Sequence, residues 1–339
     1  MKNASIEKIL KLEPIEGADR IEKASILGWQ TVVLKGTFKE GDYCVFVPVD
    51  SIVPELPAFE FMRDRHFRVR KIKLKGTLSQ GIALPVNLFN DQLFQLDDIH
   101  TDYIDGMDVS DLIGVKHYEK PIPAQLAGAT KGSFPEFLHK TDEERLQNVP
   151  NLPSRHIGKE FVVTIKLDGT SATYYIKDGI FGVCSRNLEL KENKDNAYWK
   201  IAEQYKLEET LRGLVINTGD EYSIQGEIYG NGVNKNPVNI PDLRFACFNL
   251  FNITKQKYES YSVMKDVCNL RTIPTVPFLA NFVMTPEMGI AFFEQMSKGG
   301  SLISDTKREG IVVRPVSECY DTETGRCSFK VINPEYKED

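Results

Sequence analysis

Short apolar runs separated by glycine-containing turns fill the N-terminal third of the chain, and this spacing suits a compact β structure. Trp29-Gln30-Thr31-Val32-Val33-Leu34 and Tyr43-Cys44-Val45-Phe46-Val47-Pro48 read as strands, and Phe67 to Leu74 as a third. Turns fall at Lys35-Gly36, Glu40-Gly41-Asp42 and Lys75-Gly76. Several short strands within residues 1–115 predict a small barrel or sandwich. Residues 116–133, with Pro121, Pro123, Gly128 and Gly132, read as a linker, and 134–339 as a second domain.

The 339 residues allow about two domains of ~150 residues each. A chain with 41% hydrophobic and 27% charged residues can bury two cores, which excludes disordered and collagen-like classes. No run approaches the ~18 apolar residues of a membrane helix, and Met1-Lys2-Asn3-Ala4-Ser5-Ile6-Glu7 opens no secretory signal. Cys44, Cys184, Cys247, Cys268, Cys319 and Cys327 lie far apart without a C-x-x-C pair, so reduced thiols in an intracellular protein are expected. The histidines share no ligand spacing with them, so no zinc site is expected. A cytoplasmic, nuclear or virus-encoded protein fits equally. The net charge of −6 disfavours nucleic-acid binding by bulk charge but leaves room for a local basic track.

Beyond residue 134 the pattern becomes mixed α and β. Thr141-Asp142-Glu143-Glu144 fits a capping box opening a short helix through Arg145 and Gln147. Strands are expected at Phe161–Ile165, Ala172–Ile176, Tyr222–Tyr229, Leu243–Ile253, Gly310–Arg314 and Ser328–Ile332. A long helix is expected over 193–213, with Ala197, Ile201, Tyr205 and Leu211 on one side, and another over Glu287–Lys298.

Lys166-Leu167-Asp168-Gly169 ends the apolar strand Phe161–Ile165. A lysine there can leave the strand for a concave site, and Gly169 permits a tight turn after it. Burial or nearby positive charge lowers an amine pKa from about 10.4 and frees it to attack. Attack on a nucleotide α-phosphate would give a phosphoramidate. Alone the tetrapeptide reads equally as a surface lysine at a strand edge, and Lys177-Asp178-Gly179 is a similar sequence read as a hairpin turn.

Later features come in a specific order. Ser185-Arg186-Asn187 offers a guanidinium for phosphate or ribose oxygens, and Gly226-Glu227-Ile228-Tyr229-Gly230 a carboxylate at a strand end. Phe245-Ala246-Cys247-Phe248-Asn249 supplies an aromatic face for a purine. Glu309-Gly310-Ile311-Val312-Val313-Arg314 and Ser328-Phe329-Lys330-Val331-Ile332 add a carboxylate and a lysine from two late strands. Singly, Phe248 reads as core, Arg186 as a solvated turn residue and Glu227 as a surface charge.

Together these motifs resemble the covalent nucleotidyltransferase superfamily of ATP-dependent polynucleotide ligases and mRNA capping enzymes. The best match is its RNA ligase branch with an N-terminal OB domain, and it spans nearly the whole chain. Phe134-Pro135-Glu136-Phe137 and Thr141 to Asn148 resemble the segment before the nucleophile in that branch. The resemblance implies an α+β fold: an OB-type β-barrel, then an ATP-grasp-like nucleotidyltransferase domain of antiparallel sheets flanked by helices. It implies that Lys166 carries AMP, that Asp168 and Glu309 hold metal-bound waters, and that Lys330 neutralises the α-phosphate. Arg186 would contact the nucleotide or the nick, Glu227 the ribose, Phe248 the adenine, and Arg145 and Asn148 the nucleotide. ATP is the implied substrate and Mg2+ or Mn2+ the implied metal, with a monomer acting on RNA ends or nicked duplexes containing RNA. Many ligases carry two lysines two residues apart in the last motif, where this chain has Lys330 and Ile332. The second phosphate contact is then missing, relocated to Lys337, or supplied by Arg326.

Arg63, Arg65, Arg68, Arg70, Lys71, Lys73 and Lys75 lie within thirteen residues with Asp64 as the one acid. Arg68, Arg70, Lys71, Lys73 and Lys75 form the expected nucleic-acid track, and lysines guarding a strand edge are its structural alternative. Capping guanylyltransferases and DNA ligases usually place an OB domain after the catalytic one, whereas nine residues follow Lys330. A non-catalytic RNA-binding protein on the same scaffold is the alternative of another class.

Overall fold

The computed structural model describes residues 2–93, 105–119 and 128–336. The chain separates into two compact units, Met1–Pro121 with Gln147–Pro150, and Ile122–Leu146 with Asn151–Asp339.

In the first unit, Tyr43–Pro48 pairs antiparallel with Ser5–Lys8 on one side and Gly81–Pro85 on the other, and Met107–Asp108 extends the sheet. A three-stranded meander, Lys11–Pro14, Ile21–Ile26 and Trp29–Leu34, forms a second sheet. Thr31 Oγ1 ties it to Ser79 Oγ at 3.0 Å and to the Gly81 carbonyl at 2.7 Å. The Tyr43–Pro48 strand is buried on both faces because its side chains alternate between two cores. Cys44 and Phe46 join Ile26, Trp29 and Ala83, while Val45 and Val47 join Ile6, Phe59 and Met62. A Cβ on Gly81 would lie 2.7 Å from the Phe46 ring, so the paired strands need a glycine there.

The strand expected from Phe67 to Leu74 is confined to Ile72–Leu74, hairpinned to Thr77–Ser79. His66 and Phe67 follow the 3-10 helix Pro57–Arg65 with φ of 51° and 55°, which breaks any extended run through them. The segment expected as a linker, 116–133, carries strand at each end: Lys116–His117 pairs with Ser51–Ile52, and Thr130–Ser133 with Leu188–Leu190.

The second unit is built on two antiparallel sheets. One has seven strands in the order Thr130–Ser133, Leu188–Leu190, Ile180–Cys184, Thr170–Lys177, Tyr222–Gly230, Leu243–Asn252 and Lys257–Tyr258. Helices Ala197–Gln204, Leu207–Thr218 and Tyr261–Leu270 cover one face through Ile201, Leu207, Leu211, Met264 and Cys268. The other sheet has the order Phe278–Val283, Glu160–Lys166, Gly310–Pro315 and Phe329–Ile332, with helix Ile290–Ser297 beside it.

Two helix expectations change. The helix expected over 193–213 is two helices, because Lys206 adopts φ 49° between them. Asn196 caps the first, its Oδ1 accepting from Tyr198 N. The capping box at Thr141–Glu144 opens no helix. Ser328 Oγ and Arg314 hold the Glu143 side chain, and Arg145 forms an isolated bridge with Lys330 before a single 3-10 turn at Leu146–Asn148. Among the described residues no helix is long and apolar enough to cross a membrane.

Candidate active site

Lys166 is the last residue of its strand, and its position is fixed by backbone register. It pairs with Gly310, which pairs in turn with Ile332, so Glu309 arrives beside the amine. A Cβ on Gly310 would sit 2.2 Å from the Val331 carbonyl, which requires glycine there. Gly169 is constrained in the same way: an added Cβ would lie 2.2 Å from the Ile228 carbonyl and 3.0 Å from the Glu227 side chain. The turn after Lys166 therefore passes directly over the Glu227 strand.

Lys166 Nζ donates to both oxygens of Glu309 at 2.8 Å, with 27% and 14% of the two side chains exposed. Burial alone would lower the Lys166 pKa, but Glu309, Glu227 and Asp168 together raise it above its ordinary value. Burial pushes Glu227 up to about 8, with Lys166 opposing and Glu309 and Asp168 adding to the rise. One protonated amine thus faces three carboxyl groups, one of which resists ionisation at neutral pH. This excess of acid around a strand-end lysine is a hard-oxygen environment suited to Mg2+ or Mn2+.

Asp168 is oriented by two groups that motif reasoning did not single out. Tyr336 Oη donates to Asp168 Oδ2 at 2.8 Å, and Asn234 Nδ2 reaches Asp168 Oδ1 at 3.4 Å and the Gly169 carbonyl. Neither lies in a recognisable motif, and only the fold reveals them.

Phe248 is half-buried beside Ile165, Leu167, Tyr229 and Ala246, with the Arg314 guanidinium 5.3 Å from its ring centroid. A register shift between Gln225 and Gly226 accompanies it, since Gln225 pairs with Asn249 and Gly226 with Cys247. Arg314 is held by Glu143, which also receives Arg326 and Ser328. Burial alone would raise the Glu143 carboxyl, yet Arg314 and Arg326 hold it below its ordinary value.

Lys330 pairs with Val312 two positions from the Lys166 register, and its backbone N–H donates to the Glu144 carbonyl at 2.7 Å. Arg145 is bridged to Lys330. Arg186 is ion-paired with Asp142 at 2.6 Å on a partly exposed turn. Asn148 falls in the first unit, where its Oδ1 accepts from Trp29 Nε1 at 2.8 Å. Arg326 binds Glu318 and Glu143 and lies 3.7 Å from the Tyr258 ring centroid, so as a phosphate ligand it would have to leave those partners. Lys337 lies outside the described residues.

In the first unit, Arg70, Lys73 and Lys75 are exposed and Lys71 is half-buried. Arg68 departs from the track, because its guanidinium stacks 3.5 Å from the Tyr118 ring centroid and its Nε is buried. Ile72 and Leu74 are half-buried, so the stripe lies on a short hairpin with a shallow apolar side.

A family model described as RNA ligase matches residues 159–332, and an OB-fold domain model matches residues 3–86. Among curated proteins, none matches this sequence. Solved structures of a Naegleria gruberi RNA ligase are similar over 98% of this chain and 97% of that chain, at 32% identity. Variants of that ligase with AMP and Mn and with ATP and Mn each give a TM-score of 0.86, and its structure with PPi gives 0.85.

Proposed function

This chain belongs to the RNA ligase family, and on that footing we propose that it uses ATP to join RNA 3′-hydroxyl and 5′-phosphate ends through an adenylylated Lys166. The observation that carries this reading is the Lys166 amine set among Glu309, Glu227 and Asp168 at the end of its strand.

In the first step Lys166 Nζ attacks the ATP α-phosphorus, forming an N–P bond as the bond to pyrophosphate breaks. The amine must first lose the proton that its carboxylate neighbours hold on it, and Glu309, with both oxygens 2.8 Å away, is the nearest acceptor. Phe248 offers its ring to the adenine, Glu227 hydrogen-bonds the ribose, and Lys330 balances charge on the α-phosphate. Arg145, Asn148 and Arg186 are further contacts to the nucleotide or the nick. Asp168 and Glu309 would hold a divalent ion through water; when bound, such an ion stabilises phosphoryl charge and favours the unprotonated amine. AMP then passes to a 5′-phosphate, and the 3′-hydroxyl attacks that activated end and releases AMP.

In this reading the first unit binds the nucleic acid through Arg70, Lys71, Lys73 and Lys75, while Arg68 stays stacked on Tyr118. The working protein is an intracellular monomer that acts on RNA ends or on nicked duplexes containing RNA.

Strand joining tests the proposal. Nicked duplexes with RNA or DNA on the 3′-hydroxyl side, incubated with ATP and Mn2+ or Mg2+, should be sealed by the wild-type chain and not by Lys166→Met. GTP as the sole effective nucleotide would favour capping chemistry. A folded protein that binds nicks and seals none would favour a binding-only role.

A further inference from the structure

Away from Lys166, three side chains with no shared sequence spacing meet. One nitrogen of His156 and the sulfurs of Cys319 and Cys327 all lie within 4.8 Å of one another. His156 ends the short helix Leu152–Arg155, and the cysteines flank the hairpin Tyr320–Asp321 with Gly325–Arg326. Cys327 N donates to the Cys319 carbonyl at 3.2 Å, which closes the hairpin's base. His156 and Cys327 are buried and Cys319 is half-buried.

The surroundings of His156 set its tautomer. Lys159 Nζ, which can only donate, lies 3.1 Å from Nδ1, so Nδ1 accepts. Nε2–H then donates to Asp321 Oδ2 at 2.8 Å. Asp321 is fixed in turn by Arg155 at 2.8 and 2.9 Å and by the backbone N–H groups of Glu323 and Thr324. A carboxylate orienting one imidazole nitrogen while the other keeps its lone pair is the usual outer arrangement of a metal-binding histidine. Lys159 is exposed and can turn to water when that lone pair is needed.

We propose that Cys319, Cys327 and His156 bind one borderline-soft divalent cation of the Zn2+ type, with water completing four-coordination. Binding releases one proton from each thiol, and the two thiolates neutralise the dication. Hard Mg2+ and Mn2+ prefer oxygen donors and do not compete here. The cation would staple the hairpin carrying Arg326 and Ser328, both partners of Glu143, to the His156 helix.

Co2+ is the probe, added to the metal-stripped, fully reduced full-length chain in excess Mg2+. The expected result is one Co2+ per chain with a near-ultraviolet thiolate-to-cobalt band and visible tetrahedral bands, displaced by one equivalent of Zn2+. Cys319→Ser and Cys327→Ser should each remove the thiolate band. If Cys327→Ser fails to fold, the half-buried Cys319→Ser carries the test, with circular dichroism as the folding control. A folded wild-type chain giving no thiolate band, or a band that survives in Cys319→Ser, overturns the proposal. So does a Cys319–Cys327 disulfide that resists reductant and leaves no thiols to bind. The readout needs no nucleotide, so it is independent of ligase activity.

Discussion

At the scale of single residues, the chemistry turns on protons among Lys166, Glu309, Glu227 and Asp168. Glu227 has a folded-state pKa of about 8 against an ordinary 4.5, so between those values the folded chain keeps a proton that the unfolded chain has lost. Stability therefore falls as pH rises through that window. Glu143 and Asp321, whose values are lowered, act below it. The melting temperature of the wild-type chain should drop between about pH 5 and pH 8, and Glu227→Gln should flatten that slope. An unchanged slope in the variant would contradict the assignment. Tyr336→Phe removes the 2.8 Å hydrogen bond to Asp168 without altering its charge. A hydrogen bond to a charged group contributes about 1.5–3 kcal/mol. The expected outcome is a rise of about tenfold or more in the Mn2+ concentration needed for self-adenylylation, with the melting temperature little changed. A metal titration that superposes on the wild type would remove Tyr336 from the site.

At the scale of elements, strand register and helix breaks decide where the buried charges and the helix ends fall. Glu143 is buried between Arg314 and Arg326, and Glu143→Ala would leave two buried guanidinium groups short of a partner, at a cost of about 3–5 kcal/mol. Chemical denaturation should show this as a lowered midpoint with an unchanged slope. Lys206 is exposed and left-handed between two helices, so Lys206→Gly should stabilise the chain by about 0.5–1 kcal/mol once glycine's greater unfolded-state freedom is subtracted. The strands that carry Lys166 and Glu227 are legible because β-branched and aromatic runs meet glycine at or just beyond their ends. The break at Lys206 was not, because no glycine or proline marks it and both flanking segments keep helical periodicity. The segment Thr141–Glu144 misled for a physical reason: a pattern that caps helices is here pulled apart by a buried ion network with Arg314, Arg326 and Ser328, contributed by residues some 170 positions or more away. Tyr336, Asn234 and the His156 cluster share that invisibility, since each is assembled only by tertiary folding.

At the scale of the whole molecule, the acidic total and the basic hairpin must be separated. Arg70, Lys73 and Lys75 are exposed within a chain of net charge −6, so any attraction to nucleic acid is local and screened by salt. Replacing Lys71, Lys73 and Lys75 together by Ala should weaken nick sealing and flatten its salt dependence while sparing self-adenylylation. Loss of both steps would assign the stripe to folding or to ATP binding. Adenylylation of Lys166 is tested most directly by intact mass spectrometry of the chain after incubation with ATP and Mn2+, followed by peptide mapping. One added AMP per chain is expected, located on Lys166 and absent from Lys166→Met. An adduct on another residue, or a folded chain that never gains the mass, would contradict it.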